Sequence, residues 1–171
     1  SIETRIMNYY EWQTVDSSFT VRIDKSVLNE LAKYRQTIQG NEPESLGLLV
    51  GEVWKTAFWV RYITKPNKSD RCYRFLCERT EESAISNYQF LKALNIKSGN
   101  RWHYLGEWHT HPQTSPIPSH QDYIGWSFLP ENSYFNQNIR LFMICSSNNY
   151  YLDWLAIQID GVFHKLVLKY E

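Results

Sequence analysis

Two apolar runs joined by a short turn constrain the fold of this chain most strongly. Residues 46–53 are mostly apolar and contain two glycines, and residues 57–63 are rich in aromatic and β-branched side chains. Runs of this length on either side of residues 54–56 predict an antiparallel β-hairpin whose first strand is buried. The chain is therefore expected to contain a β-sheet with this hairpin as part of it.

Further strands and two or three helices are predicted around this hairpin. The expected strands are residues 19–23, 73–76, 102–108, 139–146, 151–160 and 162–170, the last two joined by a turn at Asp160 and Gly161. The expected helices run from an N-cap at Asp24 to about Ile38, over residues 81–94, and from Ser119 to about Phe128. On the second helix, four apolar residues share one face: Ile85, Tyr88, Leu91 and Leu94.

This mixture of elements predicts a single α/β (α+β) domain. Its length of 171 residues matches one hydrophobic core. We expect the domain to span residues 1–171, with its core over about residues 19–170 and a short extension over residues 1–18.

The charge balance and the apolar pattern limit the classes of partner. The chain has 18 basic and 18 acidic side chains, and counterion release on nucleic acid requires an excess of basic ones, so no nucleic-acid partner is expected. No apolar run approaches the ~20 residues that span a bilayer. Residues 1–5 also lack the pattern of a signal peptide, and we expect a cytoplasmic protein with no membrane partner.

The three cysteines are expected to be reduced and mostly buried. Cys72 and Cys77 lack the spacing of a CxxC motif, and Cys145 lies in an apolar run.

Residues 106–122 contain the side chains with the clearest chemical signal. His109 and His111 lie two apart at the end of a predicted strand, so both point to one face of the sheet. Asp122 follows after three prolines, near the start of the predicted short helix. Two imidazoles and one carboxylate would leave the fourth position of a zinc ion open, which is the pattern of a catalytic site.

Two other interpretations remain open for these residues. A His-x-His pair also occurs as surface or core histidines without a metal. Ser119 and Asp122 fit a capping box at the helix N-terminus, which explains those two residues but not the histidines, and both roles can be held at once. The three other histidines, His103, His120 and His164, are expected to be structural or exposed.

The order His-x-His, seven residues, Ser, two residues, Asp resembles the signature of the JAMM metalloproteases, the active MPN+ branch of the JAB/MPN fold. Upstream, Glu44 begins a Glu-x-x-Gly-Leu-Leu-x-Gly sequence that resembles the second motif of the family. The resemblance covers roughly residues 19–170. It implies a JAB/MPN-like domain with a mixed, curved β-sheet flanked by two to three helices, in a cytidine-deaminase-like layout.

The resemblance also implies a role for each residue of the two motifs. His109, His111 and Asp122 would bind one catalytic Zn²⁺ together with a water molecule. Glu44 would take a proton from that water and later deliver it to the leaving amine, while Ser119 would donate a hydrogen bond to the oxyanion. The two glycines of the second motif, Gly47 and Gly51, are expected to be close-packing positions.

A substrate class follows from the same resemblance. JAMM enzymes cut peptide or isopeptide bonds after the C-terminal tail of ubiquitin or a ubiquitin-like protein. The chain resembles the stand-alone bacterial JAB deconjugases, including those of anti-phage CBASS operons, in which a CD-NTase-type nucleotide cyclase is conjugated to its targets through its C-terminus. The expected partners are then such a conjugated protein and its target.

Two other functions remain open, a non-catalytic MPN scaffold and a JAMM peptidase that processes a sulphur-carrier or phage-tail protein. Trp126, Phe128 and Pro130 follow Asp122 closely and could form a wall for the substrate tail. Alternatively, at least one of Trp126 and Phe128 simply packs the short helix onto the sheet.

Overall fold

The computed structural model describes residues 7–67, 70–75, 77–78, 80–127 and 138–169. The strands in chain order are β1 (Tyr9–Thr14), β2 (Thr20–Asp24), β3 (Leu46–Trp54), β4 (Ala57–Ile63), β5 (Arg71–Cys72), β6 (Cys77–Glu78), β7 (His103–Thr110), β8 (Ile139–Cys145), β9 (Trp154–Ile159) and β10 (Val162–Leu168). The helices are α1 (Lys25–Ala32), α2 (Glu81–Lys97) and α3 (His120–Ser127), with a 3-10 turn at Tyr150–Leu152.

Within the described ranges, eight strands close into a barrel, which confirms the predicted mixed α/β fold and adds closure to its curved sheet. The strand order is β1-β10-β9-β8-β7-β3-β4-β2. The pairs β2–β4 and β7–β8 are parallel, and the others are antiparallel. The predicted hairpin is present as β3 and β4, and the turn before β10 has positive φ at Asp160 and Gly161, as expected for a two-residue hairpin turn.

The barrel begins earlier in the chain than residue 19. Strand β1 pairs with both β2 and β10 and so closes the barrel. Its Trp12 side chain is 1% exposed and belongs to the main hydrophobic core. Residues 9–14 are therefore part of the sheet rather than of an extension.

Helix α1 ends at Ala32, well before the predicted end at Ile38. The residues that follow make tertiary contacts instead of continuing the helix. The Arg35 guanidinium pairs with the Asp153 carboxylate next to β9, and the Gln36 side chain is buried. Asp24 occupies the N-cap position without a side-chain cap bond. Its carboxylate instead accepts hydrogen bonds from Trp59 and Arg61 on β4.

The second predicted helix is confirmed as α2, and its apolar face is only partly covered, since Leu91 and Leu94 are half-buried. Ile85 and Tyr88 are each 53% exposed, and Ser83 is the buried residue of this helix. Thr80 caps the helix by accepting a hydrogen bond from the Ser83 backbone N–H. Among the described residues, no helix is both long enough and apolar enough to cross a membrane.

The segment after β4 corrects two expectations. Residues 73–75, predicted as part of a strand, form the turn between β5 and β6, and Leu76 lies outside the described residues. The register of this small hairpin places Cys72 opposite Cys77, and the two form a disulfide. The expectation of reduced thiols is wrong for this pair, whereas Cys145 is free and buried as expected.

Strand β3 pairs with β7 on one side and with β4 on the other. A side chain at Gly47 would collide with the Thr64 carbonyl and the Trp108 indole, and one at Gly51 would collide with the Trp59 carbonyl. The prediction that both glycines are close-packing positions is confirmed. Their small size lets the strands next to the site approach closely.

Candidate active site

The two motif histidines lie at the carboxyl end of β7, which the barrel holds between β3 and β8. His109 is 8% exposed and pairs in register with Leu46 and Ile144. The Nε2 atoms of His109 and His111 are 3.1 Å apart. A strand paired on both sides therefore presents two imidazoles to one point, as the His-x-His spacing predicted.

Asp122 reaches the same point from the first turn of α3. Its Oδ1 lies 3.3 Å from His109 Nε2, and its Oδ2 lies 3.2 Å from His111 Nε2. The capping box is also present, since Ser119 N–H donates to Asp122 Oδ2 and Asp122 N–H donates to Ser119 Oγ. One carboxylate thus begins the helix and faces the histidines, so the capping box is confirmed and is compatible with a metal-binding role for Asp122.

Glu44 completes the cluster from the segment before β3. Its Oε1 lies 3.9 Å from His109 Nε2, and its side chain is 8% exposed. One ligand atom from each of Glu44, His109, His111 and Asp122 lies within 4.8 Å of the others. Ser119 lines the same cleft, so the structure brings all five residues of the two motifs together.

The electrostatics of the cluster differ between its two carboxylates. Burial raises the pKa of Glu44 to about 7, with Asp122 adding to the effect and the two histidines opposing it. Burial also acts on Asp122, but hydrogen bonds with His109 and His111 outweigh it and hold the pKa of this carboxyl well below its usual range. Burial lowers the pKa of His111, and the contacts with Asp122 more than compensate, so the net shift is upward.

Gln113 orients the His111 ring. Its Oε1 lies 3.2 Å from His111 Nδ1 and also accepts a hydrogen bond from the Ile117 backbone N–H. Because a carbonyl oxygen can only accept, this contact favours a proton on Nδ1, and a metal ion at the cluster would take the place of the proton on Nε2. This is the tautomer that binds a metal through Nε2.

Three residues of the cluster, Glu44, His109 and Asp122, line a cleft of about 230 Å³ between the β5–β6 hairpin and α3. The other lining residues include Leu46, Phe75, Cys77, Glu107, Gln121, Gly125 and Trp126. The predicted packing role of Trp126 is confirmed, because its ring lies 4.5 Å from Phe142, and the same side chain also lines the cleft. Phe128 and Pro130 lie outside the described residues.

The donor set of the cluster fits a zinc ion. Imidazole nitrogen and carboxylate oxygen are both common zinc ligands, and two histidines favour zinc over the oxygen-binding Mg²⁺ and Ca²⁺. His109, His111 and Asp122 together match the three-ligand pattern of catalytic zinc sites, in which one position stays open.

Sequence reasoning did not identify the buried polar residues that support the site, namely Gln36, Thr110 and the pair Arg35–Asp153. Only Thr110 could have been recognised from the sequence as a buried polar residue. It lies between two histidines on a strand, so its side chain must point to the face opposite theirs. A polar side chain on the buried face needs a hydrogen-bond partner. That partner, Gln36, is distant in sequence and belongs to no recognisable motif.

Comparisons with known proteins agree with this site. Residues 25–138 match the model of the prokaryotic homologues of the JAB domain. A Pseudomonas aeruginosa protein is 32% identical over 124 residues, which are 69% of this chain and 72% of that protein. A Vibrio cholerae protein is 28% identical over 151 residues, which are 88% of this chain and 92% of that protein. Both relatives carry the name CD-NTase/cGAS isopeptidase.

A solved structure supports the fold. The solution structure of a Desulfitobacterium hafniense protein matches with a TM-score of 0.56 and 20% identity, covering 86% of this chain and 88% of that one. The family model covers both motifs and the whole metal-ligand cluster. The chain belongs to the family of prokaryotic JAB-domain proteins.

Proposed function

We propose that this chain is a zinc-dependent isopeptidase of the JAMM type, which hydrolyses the bond after the C-terminal tail of a conjugated protein. The observation that carries the proposal is the convergence of ligand atoms from Glu44, His109, His111 and Asp122 within 4.8 Å, beside a cleft that three of these residues line. A non-catalytic scaffold has no need of a buried carboxylate beside three metal-ligating groups.

His109, His111 and Asp122 would hold the zinc ion. Bound there, zinc supplies a Lewis acid that polarises the scissile carbonyl and lowers the pKa of a water molecule to about 7. The capping box keeps Asp122 in place, and Gln113 keeps His111 in the tautomer that this role requires.

Glu44 is the general base and then the general acid of the proposed reaction. In the metal-free chain burial raises the pKa of this carboxyl to about 7, and a bound zinc ion would lower it, so that the carboxylate form needed to accept a proton would prevail at neutral pH. Its carboxylate would take a proton from the attacking water and pass it to the nitrogen of the leaving amine. Such a group contributes typically 10²–10⁴-fold to the rate.

Ser119 stabilises the negative charge that develops on the carbonyl oxygen. Its Oγ already accepts a hydrogen bond from the Asp122 backbone N–H at 3.1 Å. The hydroxyl proton therefore remains available for donation into the cleft, where it would bind the oxyanion.

The relatives suggest the substrate. Proteins named CD-NTase/cGAS isopeptidase share up to 32% identity with this chain over more than two thirds of its length. We extend that substrate class to this chain. The conjugated protein would be a CD-NTase-type nucleotide cyclase, linked through its C-terminus to an amine on its target.

The test uses a purified cyclase joined by an isopeptide bond to a lysine side chain of a carrier protein. The zinc-loaded wild type is compared with Glu44→Gln and with Glu81→Gln, an exposed control on α2. Wild type and control should release the cyclase at equal rates, whereas Glu44→Gln should lose about 10²–10⁴-fold in rate and still bind zinc.

Two results would contradict the proposal. A zinc-loaded wild type that cleaves no isopeptide or peptide substrate would favour the scaffold function. Cleavage of a sulphur-carrier or phage-tail precursor, with the cyclase conjugate left intact, would retain the peptidase chemistry and reject the proposed substrate.

A further inference from the structure

Gln36 is a fully buried polar residue close to the site. It follows α1 in a segment that is neither helix nor strand, and its exposed fraction is 0%. Its Nε2 donates to the Glu42 carbonyl at 3.0 Å and to the Arg74 carbonyl at 2.8 Å. Its Oε1 accepts from the Thr110 hydroxyl at 2.9 Å. The amide therefore binds three separate segments of the chain.

Thr110 connects this amide to both motifs of the active site. It is fully buried and lies between His109 and His111, with its side chain on the opposite face of β7. Its Oγ1 accepts a hydrogen bond from the Ser45 N–H at 2.9 Å, and its own N–H donates to the Ser45 carbonyl at 3.0 Å. The residue next to Glu44 is thus attached to the strand that carries the histidines.

The small β5–β6 hairpin supports Glu44 from the other side. The Glu44 backbone N–H donates to the Tyr73 carbonyl at 2.6 Å. Arg74 is the next residue of the hairpin turn, and its carbonyl accepts a hydrogen bond from the Gln36 amide. The Arg74 guanidinium donates hydrogen bonds to the Thr37 and Ile38 carbonyls. Gln36 therefore stabilises both of the backbone contacts that hold Glu44.

We propose that Gln36 is a positioning residue that holds Glu44 at the distance from the metal ligands that proton transfer requires. Glu44 precedes β3 and has no strand ladder of its own to fix it. Gln36 is not among the residues that line the cleft, so it would act through the backbone of residues 42–45 rather than on the substrate. The proposal rests on the proposed function, in which Glu44 transfers the proton.

The test replaces the amide by an apolar side chain of similar length. Gln36→Met removes all three hydrogen bonds, and Gln39→Met changes an exposed glutamine nearby as the control. We expect kcat of Gln36→Met to fall by about 10²-fold, because a displacement of about 1 Å has that effect on a catalytic group. The KM and the zinc content should stay within about twofold of the wild type, since neither depends on the Glu44 carboxylate.

Two further measurements separate positioning from general destabilisation. In the Glu44→Gln background, Gln36→Met should change kcat by less than about twofold, because the group it positions is already absent. In metal-free protein, the backbone amides of Glu44 and Ser45 should exchange hydrogen faster in Gln36→Met, while amides of β8 and β9 keep their protection. If Gln36→Met does not fold, Thr110→Val removes one link of the same network and should show the same pattern.

The possible failures are distinguishable. Full kcat in Gln36→Met together with an inactive Glu44→Gln would overturn the positioning role and leave the proposed function intact. An equal loss of kcat in both backgrounds would also overturn it, because Gln36 would then act on something other than Glu44. Wild-type kcat in Glu44→Gln would instead refute the proposed function itself.

Discussion

Breaking the buried ion pair between Arg35 and Asp153 should strongly destabilise the protein and loosen the active site. The side chains are 9% and 0% exposed, and the guanidinium makes two contacts, at 2.6 and 2.9 Å. Asp153 also accepts from the Ser146 N–H, and the neighbouring Cys145 carbonyl accepts from the His111 N–H. The pair therefore contacts the segment whose backbone positions His111, one of the proposed metal ligands.

The magnitude follows from this burial. Burial raises the pKa of Asp153, whereas the contact with Asp153 raises the pKa of Arg35, so the desolvation of the pair opposes its mutual attraction. Asp153→Asn leaves the guanidinium buried without its counter-charge, and removing one partner of such a pair costs about 3–5 kcal/mol. This is a large fraction of the roughly 5–15 kcal/mol that stabilises a typical domain.

Urea denaturation of the zinc-loaded protein measures this cost. With a slope of about 2 kcal/mol/M, Asp153→Asn should lower the midpoint by about 1.5–2.5 M. In the double variant Arg35→Met/Asp153→Asn no uncompensated charge remains, and the asparagine oxygen can still accept from Ser146. We expect the double variant to regain at least about 1 kcal/mol over Asp153→Asn alone.

A loss of less than about 1 kcal/mol in Asp153→Asn would refute this reasoning, because that is the range of an exposed ion pair. A double variant less stable than Asp153→Asn would refute it as well. In that case the contacts of Arg35 would contribute more than its buried charge costs.

Three other predictions concern the barrel wall, the cleft and pH. Gly47→Ala should lower the free energy of unfolding by more than about 2 kcal/mol, because its methyl group would collide with Thr64 and Trp108. Gly125→Ala places its methyl group in open space on α3 and should raise the free energy of unfolding by up to about 1 kcal/mol. Thermal melts compare the two variants. Trp126→Ala should lose about 3–5 kcal/mol in urea denaturation, since its ring packs against Phe142 and Trp154, and a loss below about 1 kcal/mol would contradict that packing. In metal-free protein the pKa of Glu44 in the folded state, about 7, exceeds its ordinary value of 4.5. The contribution of this carboxyl to the free energy of unfolding is therefore fully present below pH 4.5 and is lost as the pH rises through 7. Wild type should therefore lose stability relative to Glu44→Gln over this interval, and a pH-independent difference would contradict the shift.

The motif residues could be predicted from the sequence because their geometry is local. A strand places residues two apart on one face, so His109 and His111 had to converge wherever β7 lay. Capping chemistry placed Asp122 at the start of α3 in the same way. The approach of Glu44 to these residues followed from the family resemblance and not from any local rule.

Features that depend on distant partners could not be predicted. The apolar spacing in α2 indicates that one face could be buried, but it does not reveal whether another element covers Ile85 and Tyr88. Thr110 lies 74 residues from Gln36 and Asp153 lies 118 residues from Arg35, and a polar side chain carries no signal for a contact at that separation. The Cys72–Cys77 pairing likewise depends on a two-residue hairpin register that its composition does not specify.

The zinc content of the purified protein tests the central claim most directly. Elemental mass spectrometry would compare the wild type with His109→Ala and with His164→Ala, an exposed histidine on β10 that serves as the matched control. We expect about one zinc per chain in the wild type and in the control, and almost none in a folded His109→Ala. A wild type that neither contains nor takes up zinc, or a His109→Ala variant that keeps it, would contradict the proposed catalytic centre.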